Sequence, residues 1–368
     1  MLETYSGEVA LPNAAPPREQ VDDIRIFSDH PVARQRRRPQ LLWLIALVPW
    51  LWFLVEDFHS SLELIAILLP ILTVGAAVLS LLLAAYFRSL PFFGLVISLT
   101  AFYVVAILLP GQPLDTTTPT ETSRIASINL AQQFFTDNEL GFFVFDREPD
   151  IFFGVELRET HDDELRTRYE YFATDLTGLD PDPPFVGPAS LESSYRGADA
   201  PSIGLYSNFV IERLDDPMSN EVEGGLPGIR ARVQTDHGPL IVYALHIPRP
   251  GTGDGVYEVG LGLQDEIVQA ITRSIEAEED PVVVVGDLNI VDRGPAFADL
   301  TSSLTDAMRT NRWAGPTRGR DFWHTLLQLR IDHILVSEGL CVADAQAPEV
   351  LFSDHTPVQA DFGPCPSS

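Results

Sequence analysis

Hydrophilic residues of catalytic types stand at the ends of several apolar runs in this sequence. The clearest run is Pro281–Val291, in which four valines and a glycine precede Asp287 and Asn289. Side chains two positions apart on a strand point to the same face, so we predict that Asp287 and Asn289 converge on one side. His246 closes a second run, IVYALH, and Glu156 closes a third, PDIFFGVE.

Similar residues end or open other apolar runs. Asn129 ends the segment SIN, Asp332 opens IDHILVS, and Asp354 and His355 stand together in SDHTPV. Each residue taken alone is explained by a turn or a helix cap. As a set, these carboxylates, amides and imidazoles are what a hard divalent cation and a phosphate ester require, and oxygen ligands suit Mg²⁺, Mn²⁺ or Ca²⁺. The absence of clustered cysteines and of a His-x-x-x-His helix disfavours zinc.

The elements that must position these residues alternate between strand-like and helix-like runs. One clear helix is predicted over Tyr257–Glu276, where apolar residues recur at helical spacing. The mixed order favours an α/β sandwich built on mixed sheets over a simple βαβ repeat. The predicted strands are Ile125–Leu130, Asp150–Val155, Ile203–Tyr206, Ile229–Val233, Leu240–His246, Val282–Val285, Ile331–Val336 and Pro357–Phe362.

Three apolar blocks precede the strands and predict a membrane anchor of three transmembrane helices over residues 40–110. The second and third blocks are long enough to cross a hydrocarbon core of about 30 Å. The first is shorter, but its tryptophans suit a membrane interface. A cleaved signal peptide is disfavoured because the apolar region is too long, and buried soluble helices because almost no charge interrupts it. The blocks are Leu41–Val55, Leu62–Tyr86 and Leu90–Leu109.

Arginine placement predicts the orientation of this anchor. The cluster Arg34–Arg38 precedes the first block, the loop Glu56–Ser61 carries no arginine, and Arg88 lies between the second and third blocks. Arginines favour the cytoplasmic side, so we expect a multi-pass cell-membrane protein with a cytoplasmic N-terminus and an extracytoplasmic catalytic domain. Residues 1–39 are expected to be a disordered tail, 111–123 a Thr/Pro-rich linker and 124–368 the catalytic domain.

The overall composition limits the partners. The net charge is −28, and all 24 basic residues are arginine. This acidity argues against a general nucleic-acid-coating surface, although a bound metal can supply local positive charge. Cys341 and Cys365 form one disulfide in an oxidising compartment or remain two free thiols, and both alternatives stay open.

The ordered motifs resemble those of the endonuclease/exonuclease/phosphatase superfamily. The resemblance covers Arg124–Phe362 and follows the order SIN, PDIFFGVE, SIGLYSN, ALH, GDLN, IDHILVS and SDHTPV. It implies a four-layer α/β sandwich, two packed mixed sheets flanked by helices, with a metal-dependent phosphohydrolase site at one end. It also implies that Glu156 is the principal metal ligand, that Asn129 holds the metal or a phosphate oxygen, and that Asp354 is a further acidic residue beside the metal.

The same resemblance implies roles for the remaining residues. Asp287 would orient or deprotonate the attacking water, with Asn289 beside it binding the phosphoryl group. His355 would stabilise the scissile phosphate, held in orientation by Asp332, and His246 would protonate the leaving oxygen. These roles suit phosphoryl transfer, which depends on positioning and on neutralising negative charge.

Two departures from the family bear on the substrate. Ala131 stands where DNA-repair members carry an acidic residue, and Asp199–Pro201 stands where they carry an aromatic hydroxyl residue. We therefore predict a membrane-anchored phosphodiesterase or phosphatase acting on a lipid head group, a nucleotide or nucleic acid, with no obligate protein partner. The alternatives are an extracytoplasmic nuclease and a catalytically inactive binding module. His333 is expected to be structural.

Overall fold

Twelve strands form two mixed sheets that pack face to face. The computed structural model describes residues 43–54, 62–108, 118–119, 121–130, 140, 143–144, 146–175, 202–219, 221–222, 225–251, 258–310, 315–319, 326–350 and 353–366. The first sheet has the order β13 (Leu340–Gln346), β14 (Val358–Pro364), β1 (Ser123–Asn129), β2 (Ile151–Val155), β4 (Ile203–Ser207), β3 (Tyr171–Asp175). The second has the order β11 (Leu304–Asp306), β12 (Asp332–Ser337), β10 (Val282–Asp287), β7 (Gly238–His246), β6 (Gly228–Thr235), β5 (Ile211–Arg213).

The four valines of β10 show why this segment is buried on both faces. Val283 and Val285 belong to the core between the two sheets, which also contains Phe153 of β2. Val282 and Val284 pack on the outer face, against the core formed with helix α4 (Leu261–Glu276). Alternate side chains of a strand point to opposite faces, so a strand with an apolar layer on each side reads as a continuous apolar run.

Helices cover the outer faces of both sheets. The first sheet packs against α3 (Glu159–Arg166), and the second against α4 and the short helix α5 (Pro295–Thr301). The prediction of an α/β sandwich with two packed mixed sheets flanked by helices is confirmed. The predicted helix Tyr257–Glu276 is observed from Leu261. The edge and hairpin strands β3, β5, β11 and β13 were not predicted, and a two-stranded sheet pairs β8 (Arg249–Pro250) with β9 (Glu258–Val259).

Each sheet has one parallel pair at its centre, and these pairs bring the polar strand ends together. β1 pairs with β2, and β7 pairs with β10, while the neighbouring strands are antiparallel. The carboxyl ends of parallel neighbours lie at the same edge of a sheet. Antiparallel β12 begins at this edge, with Asp332 opposite Asp287. Gly286 permits the close approach, because a Cβ there would lie 2.0 Å from the Leu245 carbonyl oxygen.

Two apolar helices precede the sandwich. Helix α1 (Leu62–Phe87) has 26 residues, and α2 (Leu90–Tyr103) continues as a π-helix to Leu108, 19 residues in all. By length and composition, both are able to cross a membrane. Together with the sandwich they belong to one compact unit, residues Gln40–Ser368.

The prediction of a third transmembrane helix in the first apolar block is wrong for the described residues. Trp43–Leu54 forms a 3₁₀ helix of 12 residues interrupted by Pro49, and at about 2 Å per residue it is shorter than a hydrocarbon core. It packs against α2 instead, where the Trp50 indole N–H donates to Ser98 Oγ at 2.9 Å. The predictions for residues 1–39, for Glu56–Ser61 and for 111–117 lie outside the described residues.

A disulfide closes one end of the first sheet. Cys341 of β13 is bonded to Cys365, just after β14, with 4.8 Å between their Cα atoms. The alternative that the sequence left open is thereby settled in favour of the bond. It joins two strands that are already hydrogen-bonded neighbours.

Candidate active site

Asn129 joins the two sheets at the edge where the parallel strands end. Its side-chain amide donates to Glu156 Oε1 at 3.0 Å and to Asp287 Oδ2 at 2.9 Å. Asn129 ends β1, Glu156 follows β2, and Asp287 ends β10, so the amide links carboxylates from opposite sheets. Asn129 and Asp287 are buried, whereas the Glu156 side chain is 26% exposed.

His246 lies between the two carboxylates at the end of β7. Its Nε2 atom is 4.0 Å from Glu156 Oε1 and 3.8 Å from Asp287 Oδ2. Burial, and then the nearby His355 and Arg318, lower the pKa of His246 to about 3. The imidazole is therefore neutral at pH 7, and its predicted role of protonating the leaving oxygen stays a prediction.

His355 and Asp332 form a buried pair beside Asp287. His355 Nδ1 donates to Asp332 Oδ2 at 2.9 Å, and His355 Nε2 lies 3.9 Å from Asp287 Oδ2. Burial alone lowers the pKa of His355, but Asp332 and Asp287 outweigh burial and raise it to about 9. The two carboxylates thus favour the cationic imidazole, which can donate to a phosphate oxygen.

Asp287 is a buried carboxyl group, and its neighbours do not fully offset the cost of burying its charge. Burial and the neighbouring Asp332 raise its pKa to about 7, although His355, Asn129 and Arg318 favour the ionised form. A carboxyl with a pKa near the working pH is well suited to take a proton from water.

Asn289 approaches Asp287 through a tight turn and not through the strand period. β10 ends at Asp287, and Asn289 has a positive φ of 49°. Its backbone N–H donates to Asp287 Oδ1 at 3.0 Å, and its side-chain amide donates to the Ile247 carbonyl at 2.9 Å. The strand-period argument was therefore wrong, although the two residues are neighbours. Glu156 also has a positive φ, 53°, and such backbone is uncommon outside turns and functional sites.

Arg318 belongs to the site, and the sequence analysis missed it. The segment Thr317–Gly319 pairs with residues 354–356, which sets Arg318 beside His355. Arg318 Nη1 lies 2.7 Å from His355 Nε2, and Nη2 lies 3.5 Å from Asp354 Oδ2. If His355 is neutral, its Nε2 atom accepts the N–H of Arg318. If His355 is cationic, both nitrogens carry hydrogens, and an anion between them would be needed to accept both N–H groups. The two aspartates favour the cation, so the pair is prepared for an anionic ligand.

The predicted residues other than Asp354 converge directly through the contacts above. Asp354 joins through its ion pair with Arg318, and within the described residues its buried Oδ1 atom has no hydrogen-bond partner. His333 is fully buried, and its Nε2 contacts the Ile290 carbonyl at 2.9 Å, in agreement with a structural role. Thr317 was also missed: its hydroxyl accepts the backbone N–H groups of Ile331 and Asp332 at 3.0 Å each, which fixes the start of β12.

The site has the chemistry of a divalent-cation site. Ligand atoms of Asp287, Asp332 and His355 lie within 4.8 Å of one another. Both Asp332 oxygens, however, face His355 Nδ1, at 3.1 and 2.9 Å. Glu156 is more exposed than Asp287 and Asp332, and among the described residues it contacts Asn129 and the neutral His246. Excess carboxylate charge and oxygen donors fit a hard cation.

The chain belongs to the Endonuclease/Exonuclease/phosphatase family, whose sequence model matches residues 142–355. Members of this family are metal-dependent hydrolases of phosphoester bonds, and this protein is such a hydrolase. The resemblance inferred from the motifs is thereby confirmed. A search of curated proteins gave no match.

Several solved structures are similar to this chain. An endonuclease/exonuclease/phosphatase from Bacteroides vulgatus is 21% identical, with 67% of this chain and 100% of the other covered and a TM-score of 0.47. A D. rerio TDP2 humanized by 14 mutations is 17% identical, with 66% and 99% covered and a TM-score of 0.48. An AP endonuclease from Archaeoglobus fulgidus is 14% identical, with 65% and 98% covered and a TM-score of 0.46.

Proposed function

We propose that this protein is a membrane-anchored, divalent-metal-dependent phosphoester hydrolase in which water attacks the phosphorus in line with the leaving oxygen. The observation that carries this proposal is the short distance between Asp287, whose carboxylate can accept a proton, and the His355 imidazole, which favours the cationic form. Asp287 Oδ2 and His355 Nε2 lie 3.9 Å apart at the strand ends. The group that activates the water and the group that binds the phosphate would thus lie close enough to act on one phosphoryl group.

Asp287 is the group that we assign to the water. Its ionised form accepts a proton, and Asn129 and the Asn289 backbone hold its two oxygens in place. Asn289 would bind a phosphoryl oxygen through the second N–H of its side-chain amide, since the first is bonded to Ile247. Fixed donors around the attacking water lower the barrier because they need no rearrangement during reaction.

His355 and Arg318 are the groups that we assign to the phosphoryl oxygens. Asp332 orients the imidazole and keeps it cationic. The Arg318 side chain is 27% exposed, so its remaining N–H groups are accessible to a substrate. Charge-assisted hydrogen bonds from arginine and histidinium are stronger than neutral ones and suit phosphate oxygens.

Glu156, Asn129 and Asp354 are the residues that we propose for the metal. A bound divalent cation supplies positive charge to the phosphoryl oxygens and lowers the pKa of a coordinated water. Mg²⁺, Mn²⁺ or Ca²⁺ would fit these oxygen ligands. His246, neutral and next to Glu156, would then donate a hydrogen bond to the leaving oxygen instead of a full proton.

The two apolar helices are the proposed anchor. At 1.5 Å per residue, α1 is about 39 Å long, roughly 9 Å more than a hydrocarbon core of about 30 Å. Its first residue, Leu62, and the last residue of the second helix, Leu108, lie at the same end of the pair, and Arg88 lies at the other. With two spans, the Arg34–Arg38 cluster would lie on the same side as the catalytic domain and opposite Arg88, so the arginines do not decide between the two orientations. We propose the extracytoplasmic side for the catalytic domain. The Cys341–Cys365 disulfide supports this side, because such bonds persist in oxidising compartments.

The substrate that we propose is a phosphoester presented close to the bilayer, such as a lipid head group, or a small soluble phosphoester. The net charge of −28 disfavours binding of long nucleic acid through its backbone. Plasmid DNA is therefore an alternative substrate to test, and not the expected one.

Hydrolysis by the purified full chain in detergent tests the proposal. Bis-(p-nitrophenyl) phosphate, p-nitrophenyl phosphate, phospholipid vesicles and plasmid DNA are each incubated with Mg²⁺, Mn²⁺, Ca²⁺ or a chelator. We expect metal-dependent hydrolysis that is lost in Asp287→Ala and in His355→Ala. The matched control is His237→Ala, since His237 lies in the turn after β6, where its ring pairs with Glu121 at 3.3 Å. Undiminished hydrolysis in either site variant would refute the assigned roles.

A further inference from the structure

We propose that helix α1 is a positioning element of the active site, because it holds, like a clamp, the loop that follows Asp287 of β10 and that contains Asn289. We call Leu288–Gly294, between β10 and α5, the catalytic loop. A tether would need only the chain connection after Leu108. The structure shows a second, non-covalent connection through the catalytic loop, and this connection is built from buried polar groups.

Arg293 is the centre of the clamp. Its Nε donates to the Ala66 carbonyl of α1 at 2.7 Å, and its Nη atoms donate to the carbonyls of Leu327 and Gln328 at 2.9 and 3.0 Å. In an α-helix the Ala66 carbonyl would accept the N–H of residue 70, but residue 70 is Pro70 and has none. Arg293 therefore supplies the donor that the helix itself lacks.

Glu63 contacts the same loop one turn earlier in α1. This carboxylate is 2% exposed, and its Oε1 accepts the backbone N–H of Val291 at 3.4 Å, a long hydrogen bond. The carboxylate also lies against Gly294, where an added Cβ would be only 2.1 Å from Glu63 Oε2. The backbone of the loop is therefore in close contact with this side chain.

Apolar packing extends the contact from the loop to the start of β12. Val291 and Ile331 are buried in one cluster with Trp52, Ala66 and Phe102 of the apolar helices. Ile331 directly precedes Asp332, which orients His355, and the Ile331 carbonyl accepts the Leu288 N–H at 2.9 Å. The first turns of α1 thus support both site strands, β10, which ends at Asp287, and β12, which begins at Asp332.

Burial of Arg293 costs desolvation free energy, which a helix that served only as a tether would not incur. Its side chain is 3% exposed, and desolvating a guanidinium is expensive unless its donors are satisfied. The clamp satisfies them with backbone carbonyls from α1 and from residues 327–328, and with Asp292 Oδ1 at 3.4 Å. Because Asp287 and Asn289 lie only a few residues from Arg293, a displaced loop would displace the activated water.

The test compares two arginines at opposite ends of the sandwich, the buried Arg293 and the partly exposed Arg124. In the full chain in detergent, Arg293→Met removes every donor of Arg293 and leaves the Val291–Glu63 bond, and Arg293→Lys keeps one charged donor. The matched control is Arg124→Met, since Arg124 at the start of β1 donates twice to Asp361 and once to the Arg147 carbonyl. Ser80→Ala controls for α1 itself, because the Ser80 hydroxyl donates to the Ala76 carbonyl within the same helix.

For Arg293→Met we expect a fall in kcat of about tenfold or more with KM within twofold, measured well below the unfolding temperature, because misplacement impairs the reacting geometry and not ground-state binding. Arg293→Lys should recover part of kcat, and Arg124→Met should lower thermal stability with kcat within twofold. Equal kcat losses in Arg293→Met and Arg124→Met would overturn the proposal.

Hydrogen–deuterium exchange gives a readout that does not depend on turnover. Amides of residues 288–294 should exchange at least tenfold faster in Arg293→Met than in wild type, and those of Arg124→Met should be unchanged. Unchanged exchange of this loop in Arg293→Met would also overturn the clamp. If wild type hydrolyses none of the substrates, the proposed function fails, whereas the exchange comparison still decides whether α1 holds the loop.

Discussion

Asp287→Asn should inactivate the enzyme and, in the metal-free state, make it more stable at pH 8. The carboxyl is fully buried, and burial and Asp332 raise its pKa from 3.8 to about 7. The folded protein therefore holds this proton more tightly than the unfolded chain. Stability that is present below pH 3.8 is lost as the pH rises through about 7. At pH 8 the loss is complete, while His355, with its pKa of about 9, is still largely cationic.

The size of the effect follows from the pKa difference. Each pKa unit corresponds to about 1.4 kcal/mol, so the ionised Asp287 costs the apo protein about 4 kcal/mol at pH 8. Asparagine removes this charge, but its single carbonyl oxygen can accept only one of the two hydrogen bonds that Asn129 and the Asn289 backbone donate to Asp287. It also loses the attraction to His355, so we expect a net gain of about 1 to 2 kcal/mol in the free energy of unfolding.

Urea unfolding of the full chain, with chelator, at pH 5 and pH 8 measures this gain. The matched control is Asp306→Asn, because Asp306 is equally buried but bonded to Arg330 at 2.6 Å. Burial alone would raise the pKa of Asp306, but Arg330 outweighs burial and lowers it. Asp306→Asn should therefore destabilise the protein, by about 3 kcal/mol, since it removes one of the two carboxylates that neutralise the buried Arg330. If Asp287→Asn is destabilised like the control at pH 8, the reasoning on this site is wrong.

Three further predictions concern the other parts of the molecule. Arg318→Gln should lower kcat/KM by about 10- to 100-fold, with partial recovery in Arg318→Lys, because it removes a charged hydrogen bond to the phosphoryl group; equal activity of the two variants would contradict this. Glu156→Gln should raise the Mg²⁺ concentration for half-maximal activity at least about tenfold with little change in unfolding temperature, and an unchanged titration would contradict its ligand role. Removal of the disulfide in the double variant Cys341→Ser/Cys365→Ser should lower the free energy of unfolding in urea by about 3 kcal/mol, because the bond closes a loop of 24 residues; unchanged stability would show that the β13–β14 hairpin does not depend on it.

Strand ends were the part of the site that the sequence could predict. A buried strand must be apolar, so a carboxylate directly after such a run, as in Asp287 or Glu156, is visible without any knowledge of the fold. The motif order then placed His355 and Asp332 in the same site. The positive φ of Asn289 could not be predicted, because the apolar pattern continues past Asp287 as if the strand did, whereas the chain turns there.

Long-range pairing explains what the sequence could not predict. Arg318 stands in no recognisable motif and enters the site only because its segment pairs with the one that contains His355. Arg293 looks like an ordinary loop arginine, and its meaning depends on Pro70, more than two hundred positions earlier in the chain. The first apolar block was over-interpreted as a transmembrane helix because hydropathy does not register that Pro49 interrupts it and that its described helix is short.

The most direct test of the account is the metal dependence of phosphodiester hydrolysis by wild type and His355→Ala. The full chain in detergent is assayed on bis-(p-nitrophenyl) phosphate with Mg²⁺ or Mn²⁺, then with excess chelator, then after metal is restored. The account predicts hydrolysis that chelator abolishes and metal restores, and a His355→Ala rate lower by at least about 100-fold. Hydrolysis that persists in chelator, or that survives in His355→Ala at the wild-type rate, would contradict it.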